Sequence, residues 1–335
     1  MFIFFRLFIF FLLFLIAGCS PATKEELIIF HASTLALPFN DLVGEFKKIH
    51  PRIKVISESS GSREACYKVS QLNRRADIIA VADYLVIEDL LRPEYADWYV
   101  QFARNRMVIC FSEHSRYGSE INKDNWYKIL SRSEVKFGRV NPDLAPLGYR
   151  TLMLWQLADI YYKEKIGGKS IYAALYQNCP PENIRHEEVE HLPLLQSLAL
   201  DYVFEYLSIA RQHNLKYLSL PKEIDLSAPD LAGYYTQAKV SLSGKPVRQW
   251  FGIPNSQSHK PKGRFHTVYG SPITYAVTIP MDAPNRNLAV EFLEFLLGEG
   301  GRRIMEKRYQ DALSPAIASD VSRIPSELKR FCRKQ

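Results

Sequence analysis

Apolar residues arrive in short dense bursts, each broken by small or hydroxyl residues and followed by an amphipathic run. EELIIFH, from Glu25 to His31, predicts a strand. After Ala32-Ser33-Thr34 the apolar positions Phe39, Leu42, Val43 and Phe46 recur at helical spacing, and Pro38 suits a first helical turn. RIKVISES repeats the pattern and leads through SSGS into a helix from Arg63. ADIIAVAD is a third burst, and its unbroken apolar run fits a strand buried on both faces, as in a parallel sheet. Strands alternating with helices imply an α/β domain.

The pattern restarts after FARNRMVICFS. INKDNWYKIL predicts a helix, VKFGRV a strand and GYRTLMLWQLADIYYKEK a long helix. HEEVEHLPLLQSLA predicts a helix, DYVFEY a strand and SIARQHN a helix. Residues from about 240 to 268 are rich in Pro, Gly, Ser and basic side chains and read as a long hairpin or loop. SPITYAVTIP is a late strand, and RNLAVEFLEFLL a helix that is apolar on most faces. Two α/β units fit this order, with FARNRMVICFS crossing between them. A late strand that crosses back makes the first unit discontinuous, 25–105 with 275–335, and the second 106–274. The strand-to-helix turns of both units then face each other, where ligands bind in open α/β sheets.

The N-terminus, MFIFFRLFIFFLLFLIAGCS, changes the setting. One Arg, an apolar run and a small-residue end read as an export signal over 1–18, and the run is short for a full span. Ile16-Ala17-Gly18-Cys19 resembles the bacterial lipobox. Cys19 is then the lipidated first residue, 19–24 a tether, and the mature protein an extracytoplasmic one anchored to a bacterial membrane by its N-terminal lipid. The remaining chain, 47% hydrophobic and 24% charged overall, has the balance of a soluble globular protein of one large domain or two ordinary ones. The formal net charge of +7 falls by one with Arg6 in the signal. No Lys/Arg block interleaved with aromatics accompanies it, which argues against nucleic-acid binding. Cys66, Cys110, Cys179 and Cys332 form no C-x-x-C unit. Disulfides are permitted outside the cell membrane, and isolated thiols fit the spacing better than a metal site.

Two stretches carry candidate chemistry, Ser33-Thr34 and Ser60-Gly61-Ser62. Each follows a strand and precedes a helix. A helix start offers free N–H donors and a partial positive charge, and hydroxyls add donors without a compensating cation. Such a turn suits a tetrahedral oxyanion, while ordinary N-capping uses the same residues. HEEVEH, His186 to His191, invites a zinc-hydrolase reading but spaces its histidines five apart. H-E-x-x-H needs four, and H-x-x-E-H also fails by one residue. The acidic run reads as a solvated helix start. The chain has no G-x-S-x-G, Walker loop or dinucleotide fingerprint.

HASTLALPFNDL, ESSGSREACYKVS, ADIIAVADY, PEYADWYVQFARNRMV, NPDLAPLGYRTLM, and YLSIARQHNLKYLSLP with DLSAPD after it resemble the tungstate/molybdate-binding proteins of ABC importers. The likeness runs in order from about residue 26 to 310. It implies a type II periplasmic-binding-protein fold, two α/β domains closing on the anion. It also implies a monomer that needs no cofactor, has no catalytic activity, and delivers tungstate or molybdate to a permease and an ATPase. Where the family reads A-G-S-L-S, this chain reads A-S-T-L-A, so Thr34 falls on an anion-binding Ser and Ser33 on a Gly. Ser62 falls on the second binding Ser, the backbone N–H groups around Pro146, Leu147 and Gly148 on a third contact, and Tyr206 on a binding Tyr. Glu188 falls on a carboxylate that bonds directly to the metal in archaeal members. Ala145 stands where their second carboxylate is expected, and Asp143 is the nearest alternative. Sulfate and phosphate are the competing ligands, and an extracytoplasmic hydrolase is the rival from another class.

Overall fold

The computed structural model describes residues 25–243 and 267–334. The signal, Cys19, the tether and most of the 240–268 segment lie outside the described residues. The strands are β1 (Glu26–Ala32), β2 (Lys54–Ser60), β3 (Ile78–Val81), β4 (Val100–Arg104), β5 (Met107–Phe111), β6 (Phe137–Val140) and β7 (Ile184–Arg185). They continue as β8 (Tyr202–Tyr206), β9 (Lys216–Ser219), β10 (Lys239–Ser241), β11 (Thr267–Tyr269), β12 (Thr274–Thr278), β13 (Asp311–Ala318) and β14 (Cys332–Lys334).

These strands build two main sheets. One has seven strands in the order β14-β13-β4-β12-β3-β1-β2, and the other five in the order β7-β6-β8-β5-β9. We call them and their helices the seven-stranded and five-stranded lobes. β3 is buried along its whole length, as its apolar run predicts. The sheet around it is mixed rather than parallel: β3 runs parallel to β1 but antiparallel to β12. The partner that reverses the polarity comes from almost two hundred residues downstream, beyond the reach of local pattern. In the five-stranded lobe β6 and β8 are parallel, and β5 is antiparallel to both β8 and β9.

β4 lies in one sheet and β5 in the other, so the chain passes between lobes at Asn105 and Arg106. It returns between β11 and β12. The two passages lie side by side, with Asn105 N–H bonded to Ile273 O at 3.3 Å. β10 and β11 pair antiparallel at the ends of the predicted hairpin.

Aromatic packing supports both lobes. Phe46 meets Phe292 edge-on at 5.1 Å in the first, and Trp155 meets Phe204 at 5.5 Å in the second. Two predicted helices are shorter than expected. INKDNWYKIL is helical only over Trp126–Leu130. HEEVEHLPLLQSLA forms a single 3₁₀ turn, Glu188–Glu190, and then a helix confined to His191–Gln196. Pro193 explains the late start, because a proline fits only the first turn of a helix. All four described cysteines are free thiols.

Candidate functional site

β1 and β2 are parallel neighbours whose last residues, Ala32 and Ser60, are register partners. Their outgoing turns therefore leave the same edge of the seven-stranded sheet. Ser33–Leu35 form one 3₁₀ turn before the helix Ala36–Ile49, and Gly61 precedes the helix Ser62–Ser70. No side-chain cap bond occurs at either start, so capping does not account for the hydroxyls. Ser33, Thr34 and Ser62 are nonetheless buried. Thr34 lies beside the Tyr275 hydroxyl, but nothing meets its Oγ1 in hydrogen-bond geometry. The Ser62 Oγ accepts from Ala82 N–H at 3.0 Å, which leaves its hydroxyl proton to donate elsewhere.

In the five-stranded lobe the loop after β6 ends at Ala145, where the helix Pro146–Tyr161 begins. Pro146 has no N–H, and Gly148 N–H is taken by Ala145 O at 3.1 Å. Of the three positions expected to supply backbone donors, that leaves Leu147, in the first turn of the helix, where backbone N–H groups have no intrahelical partner. Gly148 must be glycine, since a Cβ there would lie 2.6 Å from Val140 O and the Asn141 carbonyl carbon. Asp143 Oδ1 accepts from Ser243 N–H at 2.7 Å, so that carboxylate is tied to the far hairpin.

The lobes meet at these turns. A Cβ on Gly61 would fall 2.6 Å from Leu144 O and 3.4 Å from the Ala145 methyl, and Arg63 N–H donates to Leu144 O at 3.1 Å. Ser33 Oγ donates to Glu188 Oε2. Glu188 is thus buried rather than solvated, which corrects the reading of its acidic run. The partner that makes burial tolerable stands 155 residues away. Tyr206 ends β8 with its Oη buried and unpartnered, its ring 6.1 Å from that of Tyr275. Asn105 Nδ2 donates to Tyr275 Oη at 3.0 Å, and Gln310 Nε2 to Thr34 O at 3.1 Å, fixing the back of the site.

Burial raises the pKa of Glu188, with the Ser33 hydrogen bond opposing it. Glu187 rises to about 7, through burial first and then the neighbouring Glu188, Glu64 and Glu190. The nearby guanidiniums are already paired: Arg63 with Asp89 at 2.8 Å and Arg150 with Asp83 at 2.7 Å. Uncharged hydroxyls and a backbone N–H are therefore the groups left to meet a ligand. His191, the second histidine of HEEVEH, packs instead behind β8, its Nδ1 3.7 Å from Glu205 Oε1 with both side chains fully buried. Burial lowers the His191 pKa to about 4 and raises that of Glu205, pushing both groups towards their neutral forms. Gly138 makes room for it, as a Cβ there would stand 2.9 Å from His191 Nε2. Sequence reasoning missed Tyr275 and the Asp83–Arg150 pair. None carries a local pattern that distinguishes it from core.

Residues 27–308 match the family model described as bacterial extracellular solute-binding protein. The chain belongs to that family. Among curated relatives, this solute-binding protein is 41% identical to an uncharacterized solute-binding protein of Petrotoga mobilis, over 92% of this chain and 90% of the relative. It is 40% identical to the molybdate/tungstate-binding protein WtpA of Pyrococcus abyssi, over 95% of each chain. The corresponding protein of Thermococcus kodakarensis is 38% identical, over 93% and 91%. Among solved structures it resembles the periplasmic molybdate-binding protein of Azotobacter vinelandii, with a TM-score of 0.56 at 16% identity over 85% of this chain and 98% of that one. The sulfate-binding protein SubI of Mycobacterium tuberculosis matches with a TM-score of 0.55 at 10% identity, over 92% and 90%. These likenesses establish the fold, a type II periplasmic-binding-protein fold.

Proposed function

We propose that this solute-binding protein is the receptor of an ABC importer, that it binds molybdate or tungstate between its two lobes, and that it passes the anion to a permease and an ATPase without turnover. The observation that carries the reading is the pair of buried, unpartnered hydroxyls, Thr34 Oγ1 and Tyr206 Oη, at turns where the lobes meet. An unpaired buried hydroxyl costs roughly 1–3 kcal/mol. Accepting oxygens on a ligand would remove that cost at both positions. Thr34, Ser62, Tyr206 and the Leu147 N–H are donors, which suits an oxyanion, with Ser33 holding Glu188 rather than the ligand. The names of the Pyrococcus and Thermococcus relatives supply the ligand class.

Glu188 sharpens it. A carboxylate beside a dianion is repulsive unless it is protonated and donates, or bonds to a centre that accepts more ligands. Molybdenum(VI) and tungsten(VI) can expand their coordination; sulfur in sulfate cannot. An ionised Glu188 would thus work against sulfate and phosphate. With Ala145 in place of a second carboxylate, the metal gains at most one protein carboxylate bond.

Residues 25–105 with 275–335 and residues 106–274 act in this reading as two domains closing on the anion. Cys19 carries the lipid that keeps the monomer at the membrane. Calorimetry with tungstate, molybdate, sulfate and phosphate tests the ligand. Thr34→Val keeps the shape and removes one charge-assisted donor, so molybdate affinity should fall about ten- to a hundredfold. Unchanged affinity in that variant, or a wild type that prefers sulfate, would sink the assignment.

A further inference from the structure

Asp83 stands at the end of the strand-to-helix turn after β3, in the seven-stranded lobe. One of its oxygens caps its own helix, Tyr84–Leu90, accepting from Leu85 N–H at 3.0 Å. The other leaves the lobe. Asp83 Oδ2 accepts from Tyr149 Oη and from Arg150 Nη2, both at 2.7 Å. Those two residues belong to the helix Pro146–Tyr161, which packs on β6 and β8. Arg150 Nη1 donates to Ser271 O at 2.9 Å, on the passage by which the chain returns to β12. All three side chains are buried, with Arg150 and Asp83 each 1% exposed.

We propose that Asp83, Tyr149 and Arg150 are positioning residues for the anion: a buried latch across the cleft that holds the lobes together and sets the helix start at Leu147 against the ligand. The latch rests on the receptor reading only for what it positions. Its logic is the division of labour at Asp83. The cap bond fixes the carboxylate to one lobe, so its second oxygen can be reached only when the other lobe has swung in. Arg150 and Asp83 are each tolerated in the interior because the other is there, and parting the lobes hands both to water. The pair therefore belongs to the closed arrangement alone and shifts the population towards it. Arg150 is one helical turn from Leu147, so the same closure brings that N–H to the anion. Burial alone would lower the Arg150 pKa, but Asp83 and then Tyr206 and Tyr149 outweigh it and hold the guanidinium charged. Asp83 also takes up that charge, so the anion is met by neutral donors.

The full chain serves for the test. Asp83→Asn keeps a cap acceptor for Leu85 N–H and removes the charge that Arg150 meets. The unliganded variant should be more extended than the wild type by small-angle X-ray scattering, and molybdate should leave it about tenfold faster or more, because a smaller closed fraction lowers apparent affinity in proportion. Arg150→Gln removes the cation and should shift both readouts as Asp83→Asn does, whereas Arg150→Lys keeps a cation and should shift them by less, a graded response that a purely structural role would not give. Tyr149→Phe removes one bond at Asp83, keeps the ring, and should shift both readouts the same way by less. It carries the test if Asp83→Asn does not fold. Unliganded scattering that superimposes on the wild type, or an unchanged molybdate off-rate, overturns the proposal. A wild type that binds none of the four oxyanions refutes the receptor reading instead, and the scattering comparison still decides the latch.

Discussion

Ser33, Thr34 and Ser62 are chemically similar and do three different jobs. Ser33 donates to Glu188, Ser62 is oriented by Ala82 N–H, and Thr34 has no partner of its own. The hydroxyl turns were legible in the sequence because they interrupt apolar bursts. Their roles were not, because each is set by a group far away in the chain. Glu188 shows the same limit, since no local pattern tells a solvated acidic run from one carboxylate folded inward. Metal-edge X-ray absorption on the tungstate-loaded protein should report at most one protein carboxylate oxygen on the metal, and Ala145→Asp should raise the coordination number. Two carboxylate oxygens in the wild type would show that Ala145 does not limit the site. His31, just before these residues, has a fixed tautomer. Its Nδ1–H donates to Ala32 O at 2.9 Å, so Nε2 accepts from Ser57 Oγ at 3.0 Å. Burial is the main reason its pKa falls from 6.5 to about 4. The stabilisation from that neutral ring is fully present above pH 6.5 and is lost as the pH drops towards 4, up to about 3 kcal/mol in all. Nitrogen-15 NMR should find a neutral, Nδ1-protonated ring well into the acid range. A midpoint near 6.5 would contradict this.

At the scale of elements, the strand-to-helix turn is the repeating device, used after β1, β2, β3 and β6. The first three were visible as apolar runs ending in small residues. The fourth was read as a strand and a long helix; its glycine follows from crowding at the start of that helix, and its proline from the first helical position, where no N–H is needed. What pattern could not supply was which turns touch. Gly61 is the clearest case, because its missing side chain is what lets the β2 turn rest on Leu144 and Ala145. Gly61→Ala keeps an allowed backbone conformation, since its φ is −58°, but puts a methyl into the opposing carbonyl. Each lobe should fold normally while the lobes are held apart. Molybdate affinity should drop by about tenfold or more, with a modest change in thermal midpoint. Wild-type affinity would mean that this contact is not needed for closure.

At the scale of the molecule, the apolar pattern predicts an α/β fold, and the structure has two main sheets with β4 in one and β5 in the other. The pattern could not foretell the order of strands. β12 lies between β3 and β4, so the middle of the seven-stranded sheet is supplied by residues 274–278. The strands of the five-stranded sheet all lie between residues 107 and 219. A chain leaving a ribosome or an export channel from its N-terminus thus presents β1 to β4 first and can pair β1 with β2 and β3, but cannot join β4 to them. The part of the protein that begins the chain must wait, with the edges of β3 and β4 open, until the part inserted into it has been made. Pulsed hydrogen exchange during refolding should protect amides of β5, β6 and β8 before those of β4 and the β12-facing edge of β3, and the reverse order would refute the scheme. Until residue 278 arrives, those open edges are the exposed, aggregation-prone surface that an exported chain has to keep shielded.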